Sequence, residues 1–266
     1  MGNIEKRSKH LVLTVLFLVV MIGCATVSQA KGLSKKDKKI VAGVAAEFRD
    51  SLKKTGPRKE KLFKKWVAHR GCSDLMPENT AAAYELAGML DAYAIEGDVV
   101  YSADNVLFMA HPLESGKLPQ LSLKKKIRGY KWKTLAKAKI KKGVNVKKFK
   151  KVKLCTFTEY LRICKKYDCI AVVDIKNIRK SRLKKITKKI YKTIKKEGMV
   201  RKCYVISKSM KIIKEINKLS KHTIPVGIYS NQLDKIDMNQ YRSINPRIMW
   251  NKAKFSDDPI TVKVKA

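Results

Sequence analysis

Residues 67–90 read VAHRGCSDLMPENTAAAYELAGML and contain one strand, turn and helix unit. A short apolar run, Trp66–His69, ends in a charged group and is followed by a glycine. An Ala-rich stretch, Thr80–Leu90, comes next, and Asn79 or Thr80 could cap it. Similar β-branched runs alternate with helical segments along the rest of the chain. Such alternation predicts a parallel sheet with helical crossovers.

Seven short runs carry the strand pattern, and three further segments carry the helix pattern. The predicted strands are Trp66–His69, Tyr93–Tyr101, Val106–His111, Ile170–Lys176, Tyr204–Ser207, Pro225–Ser230 and Arg247–Trp250. The further helices are Thr156–Lys166, Ser181–Glu197 and Ser209–Ser220, with lysines on their wet faces. Without a Gly-rich dinucleotide fingerprint, this order favours an α/β fold of the TIM-type (β/α)8 barrel over a doubly wound sheet.

The end of the chain bears on barrel closure. After the seventh strand, residues 260–266 read as the first turns of a helix, and the sequence stops. We therefore expect a barrel truncated before its last strand, with an open seam beside the first strand. Such a product would be destabilised or inactive unless self-association or the leader filled the gap.

The N-terminus has the pattern of an export signal. Lys6, Arg7 and Lys9 precede the apolar stretch Leu11–Ile22, which is short for a membrane span, and small residues lead to Ala30. We predict a signal peptide over 1–30, a basic leader over 31–65 and one barrel domain over 66–266. The predicted location is secreted or cell-envelope associated. The alternatives are an uncleaved anchor and lipidation of Cys24, because Ile22-Gly23-Cys24 resembles a lipobox.

The chain is strongly basic. Lys and Arg number 61 against 22 Asp and Glu, a formal net charge of +39. Such a balance favours polyanionic partners. Export and the lack of a basic run with interleaved aromatics argue against nucleic acid. An anionic cell-wall polymer or a membrane surface remains, and the lysine-rich segment Leu113–Val152 is either the part that attracts it or a solvated excursion.

The cysteines do not suggest a metal site. Of six, five remain after cleavage at Ala30, an odd number whose spacing fits no zinc pattern. We expect mostly reduced or buried thiols, with one disulfide as the alternative.

Polar residues stand where several predicted strands end. In a parallel barrel, these ends form one rim that carries the active site. Carboxylates two residues apart on a strand, as in Glu96 and Asp98, face the same side. With Asp174 they favour a hard divalent cation, Mg²⁺ or Ca²⁺. Two histidines can act as general acid and base, and Arg and Lys suit a phosphate. The residue types describe metal-assisted chemistry on a phosphodiester.

The succession of motifs resembles the glycerophosphodiester phosphodiesterase family. It runs through AHRG, PENT, EGDVVYSADNVLFMAH, LCTFTEYL, AVVDIK, YVISKS and IPVGIYS, from Trp66 to the C-terminus. The resemblance implies a TIM-type barrel that hydrolyses deacylated phospholipid head groups, or related diesters, to sn-glycerol 3-phosphate and an alcohol. It also implies attack by the glycerol 2-hydroxyl and a cyclic phosphate that water then opens.

The resemblance also implies roles for individual residues. The implied set is His69 and His111 as the acid/base pair, Glu96, Asp98 and Asp174 as metal ligands, Arg70 and Lys176 as phosphate contacts, and Glu78 and Asn79 as supporting residues. Three positions depart from the family pattern: Pro112 replaces an Asp, Asp174 replaces a Glu and, as a milder change, Asn105 replaces a Gly. The shorter Asp174 would draw the metal closer to its strand.

Three other functions stay open. An exported basic diesterase in a cell wall would meet glycerol-phosphate teichoic acid, a polymeric version of the same substrate. A sphingomyelinase D-like phospholipase is the nearest alternative enzyme; Asp174 fits it, but the PENT stretch fits it poorly. A non-catalytic phosphate- or wall-binding remnant of a truncated enzyme is the alternative outside enzymes.

Overall fold

The structure, a computed structural model, describes residues 32–53, 66–121, 123, 125–149, 151–230 and 248–251. The predicted signal peptide, Cys24, residues 54–65 of the predicted leader and the segment after the seventh strand lie outside these residues.

A seven-stranded sheet organises the domain. Its strands are Val67–Ala68 (β1), Ala94–Tyr101 (β2), Leu107–Met109 (β3), Ile170–Ile175 (β4), Cys203–Ser207 (β5), Val226–Ser230 (β6) and Ile248–Asn251 (β7). Six are parallel neighbours in the order β1-β2-β4-β5-β6-β7. Every residue of β2 is buried, as expected of a parallel strand covered on both faces. All seven predicted strands are present, with bounds that differ by one to three residues.

One of the seven strands does not have the predicted role. β3 pairs antiparallel with β2 and lies off the parallel path, so it is not a barrel strand. Only residues 102–106 separate it from β2, and a parallel crossover needs a dozen or more residues. A tight turn closes the hairpin instead, with Asn105 at a φ of 62° and the Ser102 N–H donating to the Val106 carbonyl.

Within the described residues, six α-helices accompany the sheet. They are Lys35–Lys53 (α1), Ala81–Met89 (α2), Trp132–Leu135 (α3), Phe157–Lys166 (α4), Leu183–Lys196 (α5) and Met210–Ser220 (α6). α5 buries Ile186, Ile190 and Ile194, which confirms the predicted apolar stripe. Thr80 caps α2 and Thr156 caps α4 through their hydroxyl oxygens. Within the described ranges, every helix is too short or too polar to cross a membrane.

The described part of the predicted basic leader contains a full α-helix. α1 spans 19 residues and buries Val41, Val44 and Ala45 against the core. Arg49 donates to the Met89 carbonyl at the end of α2. Apolar residues at helical spacing among many lysines produce this packing. The described part of 31–65 therefore packs on the domain core.

The lysine-rich segment after β3 is also folded. It buries apolar side chains that include Ile127, Trp132, Leu135 and Phe149. The Asn145 amide donates to the Leu75 carbonyl at 2.9 Å, and Arg128 donates to the Asn177 carbonyl. The segment thus contacts the loops after β1 and after β4, both at the carboxyl edge of the sheet.

The cysteines within the described ranges match their prediction. Cys72, Cys155, Cys164, Cys169 and Cys203 are buried free thiols. Burial raises the pKa of Cys169 to about 11, and the other four thiols are shifted further in the same direction. Thiols held protonated in this way are poor nucleophiles.

Candidate active site

Three buried carboxylates lie together at the carboxyl edge of β2 and β4. Asp98 and Asp174 are register partners on the two strands, and Glu96 faces the same side two residues earlier on β2. One oxygen from each lies within 4.8 Å of the others. All three residues are at most 4% exposed.

Two of these carboxylates have opposite pKa shifts. Burial, together with Asp98 and Asp174, raises the pKa of Glu96 well above its usual range. Burial also acts to raise the pKa of Asp98, but the charges of Lys176 and Arg70 outweigh it and hold that pKa below its ordinary value. Of these two carboxylates, Glu96 is therefore the one whose negative charge is less compensated by neighbouring cations.

The two cationic side chains lie against Asp98. The Lys176 Nζ is 2.7 Å from Asp98 Oδ1 and also contacts Asp174. The Arg70 Nε is 3.3 Å from Asp98 Oδ2, and its Nη1 donates to Glu78 at 2.7 Å. Both side chains are 19% exposed, so each presents part of its charge to the cleft.

A strained turn after β1 positions Arg70. Its φ is 57°, and its backbone N–H donates to Glu96 Oε2 at 2.9 Å. Gly71 follows at a φ of 75°, where a Cβ atom would come within 2.6 Å of the Ala83 backbone. Only glycine fits that position, because the turn is left-handed and packs directly on α2.

The two histidines approach the carboxylates from different elements. His69 Nε2 lies 3.9 Å from Glu96 Oε2, with half of its side chain exposed. Desolvation, followed by the charge of Arg70, lowers the pKa of His69 to about 4. His111 comes directly after β3, where the Ala110 N–H donates to the Asp98 carbonyl at 2.9 Å. Continuing this antiparallel register places His111 level with Gly97, between Glu96 and Asp98.

Asn79 fixes Asp98 through two hydrogen bonds. Its Nδ2 donates to Asp98 Oδ2 at 2.7 Å, and its Oδ1 accepts from the Asp98 N–H at 3.0 Å. Its Oδ1 also accepts from the Tyr84 hydroxyl at 2.8 Å. Gly97 leaves room for that hydroxyl, since a Cβ there would lie 2.6 Å from it.

The structure brings all nine predicted site residues to one edge of the sheet. Tyr84 also belongs to the hydrogen-bond network around Asp98, through Asn79. The sequence analysis did not predict this, because a tyrosine in an Ala-rich helix is typical of the core. The only signal for Tyr84 is its place one turn after the Thr80 cap and five residues after Asn79.

The carboxylate cluster suits a hard divalent cation. Its donors are all oxygen, they are buried, and their mutual repulsion raises the pKa of Glu96. Among the described residues, this is the one group of three or more acidic, His or Cys side chains close enough to hold an ion. Oxygen ligands of this kind fit Mg²⁺ or Ca²⁺.

Comparisons with known proteins address the family and the fold. The model of the glycerophosphoryl diester phosphodiesterase family matches residues 69–252. A glycerophosphodiester phosphodiesterase from Parabacteroides distasonis is 21% identical with a TM-score of 0.56, over 70% of this chain and 71% of that one. An Oleispira antarctica phosphodiesterase, solved in complex with the product sn-glycerol-3-phosphate, is 15% identical with a TM-score of 0.61, over 71% and 75%. No curated protein matches the sequence. The predicted TIM-type α/β fold is confirmed.

Proposed function

The chain belongs to the glycerophosphoryl diester phosphodiesterase family, and on that premise we propose that it converts glycerophosphodiesters to sn-glycerol 3-phosphate and an alcohol with a bound Mg²⁺ or Ca²⁺. One observation carries the proposal: a buried carboxylate triad, two imidazoles and two cations meet at one sheet edge. The product held by the Oleispira antarctica neighbour supports the choice of product.

Arg70 and Lys176 bind the phosphate of the substrate in this proposal. Both already border the cleft, and a guanidinium can hold two phosphate oxygens at once. Glu96, Asp98 and Asp174 would hold the divalent cation, which when bound offsets negative charge developing on the phosphate. Glu78 and Asn79 act on this set indirectly, because they fix Arg70 and Asp98.

The two histidines move the protons. The glycerol 2-hydroxyl attacks phosphorus, one histidine takes its proton, and the other protonates the alcohol oxygen as the P–O bond to it breaks. Water then opens the resulting cyclic phosphate with the two proton roles reversed, and both histidines return to their starting states. His69 follows β1 and His111 follows β3, so the two imidazoles reach the same edge of the sheet from different elements.

The proposal extends to location and natural substrate. An exported enzyme of this charge would act at the cell surface, where a glycerol-phosphate polymer or the head groups of a membrane surface are the anionic diesters available. The exposed lysines of the folded segment after β3 support a polymer, because this segment contacts the loops after β1 and β4 at the carboxyl edge of the sheet. Nucleic acid is not a proposed partner.

The test is release of glycerol 3-phosphate from glycerophosphocholine by the purified full chain. Reactions with Mg²⁺, with Ca²⁺ and with a chelator are run beside His69→Ala and His111→Ala. We expect metal-dependent release that falls at least about a hundredfold in each variant, since general acid or base catalysis contributes about 10²–10⁴-fold.

Other outcomes favour the alternatives. Choline release from sphingomyelin, with glycerophosphocholine untouched, would support a sphingomyelinase D-like phospholipase. A folded protein that binds inorganic phosphate and turns over none of these substrates would support a binding remnant.

A further inference from the structure

A turn at residues 143–146 joins the folded segment after β3 to the loop that follows β1. The Asn145 Nδ2 donates to the Leu75 carbonyl at 2.9 Å. Gly143 lies directly against Pro77, because a Cβ atom added to it would be 2.9 Å from the Pro77 Cβ. Two neighbouring contacts therefore hold the turn against the loop.

The backbone of this turn explains why these two residue types stand in it. Gly143 has a φ of 136° and Asn145 a φ of 54°. Glycine and asparagine are the residues that adopt such conformations at least cost. The Val146 N–H closes the turn by donating to the Gly143 carbonyl at 3.3 Å. The turn thus presents the Asn145 amide to the loop in one fixed direction.

The loop held in this way leads directly into Glu78. The Glu78 Oε2 accepts from the Arg70 Nη1 at 2.7 Å, and 27% of the Glu78 side chain is exposed. The next residue, Asn79, is buried and is fixed separately by two hydrogen bonds to Asp98. Glu78 is less enclosed, so its position depends more on the backbone that precedes it, which ends at Pro77.

We propose that Asn145 is a positioning residue for phosphate binding. It fixes residues 75–77, these fix Glu78, and Glu78 orients the guanidinium of Arg70. The proposal rests on the proposed function, in which Arg70 binds the substrate phosphate, and it gives the lysine-rich segment a role in that site. The segment acts on the phosphate through a chain of contacts, in addition to the charge of its lysines.

The test measures binding of sn-glycerol 3-phosphate to the full chain by calorimetry in the presence of Mg²⁺. The variants are Asn145→Gly, Glu78→Ala and the combination of both. Asn145→Gly removes the amide and keeps a residue that tolerates the left-handed backbone. Asn217→Ala is the control, because it removes a buried amide on α6 that bonds to His222. Tm is measured for every variant.

We expect Asn145→Gly to raise the Kd about three- to tenfold, which is the effect of losing one hydrogen bond. In the Glu78→Ala background the link to Arg70 is already absent, so the same substitution should change the Kd less than about twofold. This difference between backgrounds is the coupling that a double-mutant cycle measures. Asn217→Ala should lower Tm and leave the Kd unchanged.

The proposal is overturned if Asn145→Gly leaves the Kd unchanged, or if it raises the Kd by the same factor in both backgrounds. It is also overturned if Asn217→Ala weakens binding as much, which would indicate a general loss of stability, or if the unaltered chain does not bind the probe. Binding does not require turnover. The expected pattern in a chain that hydrolyses no diester would support the role of Asn145 while the proposed hydrolysis fails.

Discussion

At the scale of single residues, Asp98 is the most heavily constrained group in the site. Arg70, Lys176 and Asn79 all contact its carboxylate, and the charges of Lys176 and Arg70 outweigh burial and lower its pKa. Glu96, two residues away on the same strand, has a raised pKa because of burial and of the negative charges of Asp98 and Asp174. Two identical chemical groups thus differ through their contacts alone.

Asn79→Ala should lower kcat/KM for glycerophosphocholine by about 10–100-fold, because Asp98 loses a buried donor that fixes its orientation. Tyr84→Phe should cost less than about tenfold, since Asn79 Oδ1 still accepts from the Asp98 N–H. Asn217→Ala is the control: this buried amide on α6 bonds to His222, far from the site in the fold, and should lower Tm without changing kcat/KM. Full activity of Asn79→Ala would show that Asp98 needs no such support.

At the scale of elements, the strand and helix pattern predicted most of the fold. It was wrong about β3, which it treated as a barrel strand and which runs antiparallel to β2. Alternating β-branched runs identify β3, but its antiparallel direction follows from the five-residue connection of 102–106, which the pattern does not weigh. That direction matters for the site, because a chain running back along β2 brings His111 level with Gly97.

The site residues at the ends of parallel strands could be predicted from the sequence. Those whose role depends on how a helix packs on the sheet could not. Residues at the ends of parallel strands share a rim, so Glu96, Asp98 and Asp174 follow from the strand pattern alone. The link from Tyr84 to Asn79 depends on how α2 packs over β2. The packing of α1 was missed for a similar reason, since its apolar stripe is diluted by lysines.

Val41→Ala on α1 tests whether this helix belongs to the cooperative unit. Val41 is fully buried, so the substitution should lower the free energy of unfolding by about 1–2 kcal/mol. Gly43→Ala, two residues on, is the matched control: nothing lies within 4 Å of an added Cβ, and the helix should gain about 0.5–1 kcal/mol. Urea unfolding of both variants measures the difference. If neither variant shifts the transition, α1 does not unfold with the barrel.

Glu159 in the first turn of α4 should make stability depend on pH. Burial raises its pKa from an ordinary value of 4.5 to about 7. The folded state then binds more protons than the unfolded chain between these values, so stability falls as pH rises through that window. Glu159→Gln keeps the cap at Thr156 and should remove the dependence, giving about 1–2 kcal/mol more stability at pH 8 and little change at pH 5. Urea melts at both pH values check this, and parallel curves for the two proteins would contradict it.

At the scale of the whole molecule, positive charge lies on the surface and negative charge is concentrated in the candidate site. The formal net charge of the chain is +39, and packed helices such as α5 expose lysines, while the three carboxylates of the candidate site are buried at one edge of the sheet. The positive electrostatic potential of such a protein attracts anions, and the attraction is strongest for multivalent anions. The segment after β3 contacts the loops after β1 and β4 at the carboxyl edge of the sheet, so its exposed lysines should contribute more to capture than lysines elsewhere.

Turnover of a glycerol-phosphate polymer should therefore fall about tenfold or more between 0.05 and 0.5 M NaCl, because salt screens attraction between exposed charges. Glycerophosphocholine is zwitterionic, and its turnover should change little over the same range. Replacing Lys125, Lys131 and Lys133 with Gln should reduce polymer turnover at low salt and flatten the salt dependence. The same change at Lys184, Lys188 and Lys195 on α5 alters the net charge equally and should have a smaller effect. Equal losses in the two triple variants would mean that net charge alone, and not the lysines of the segment after β3, captures the polymer.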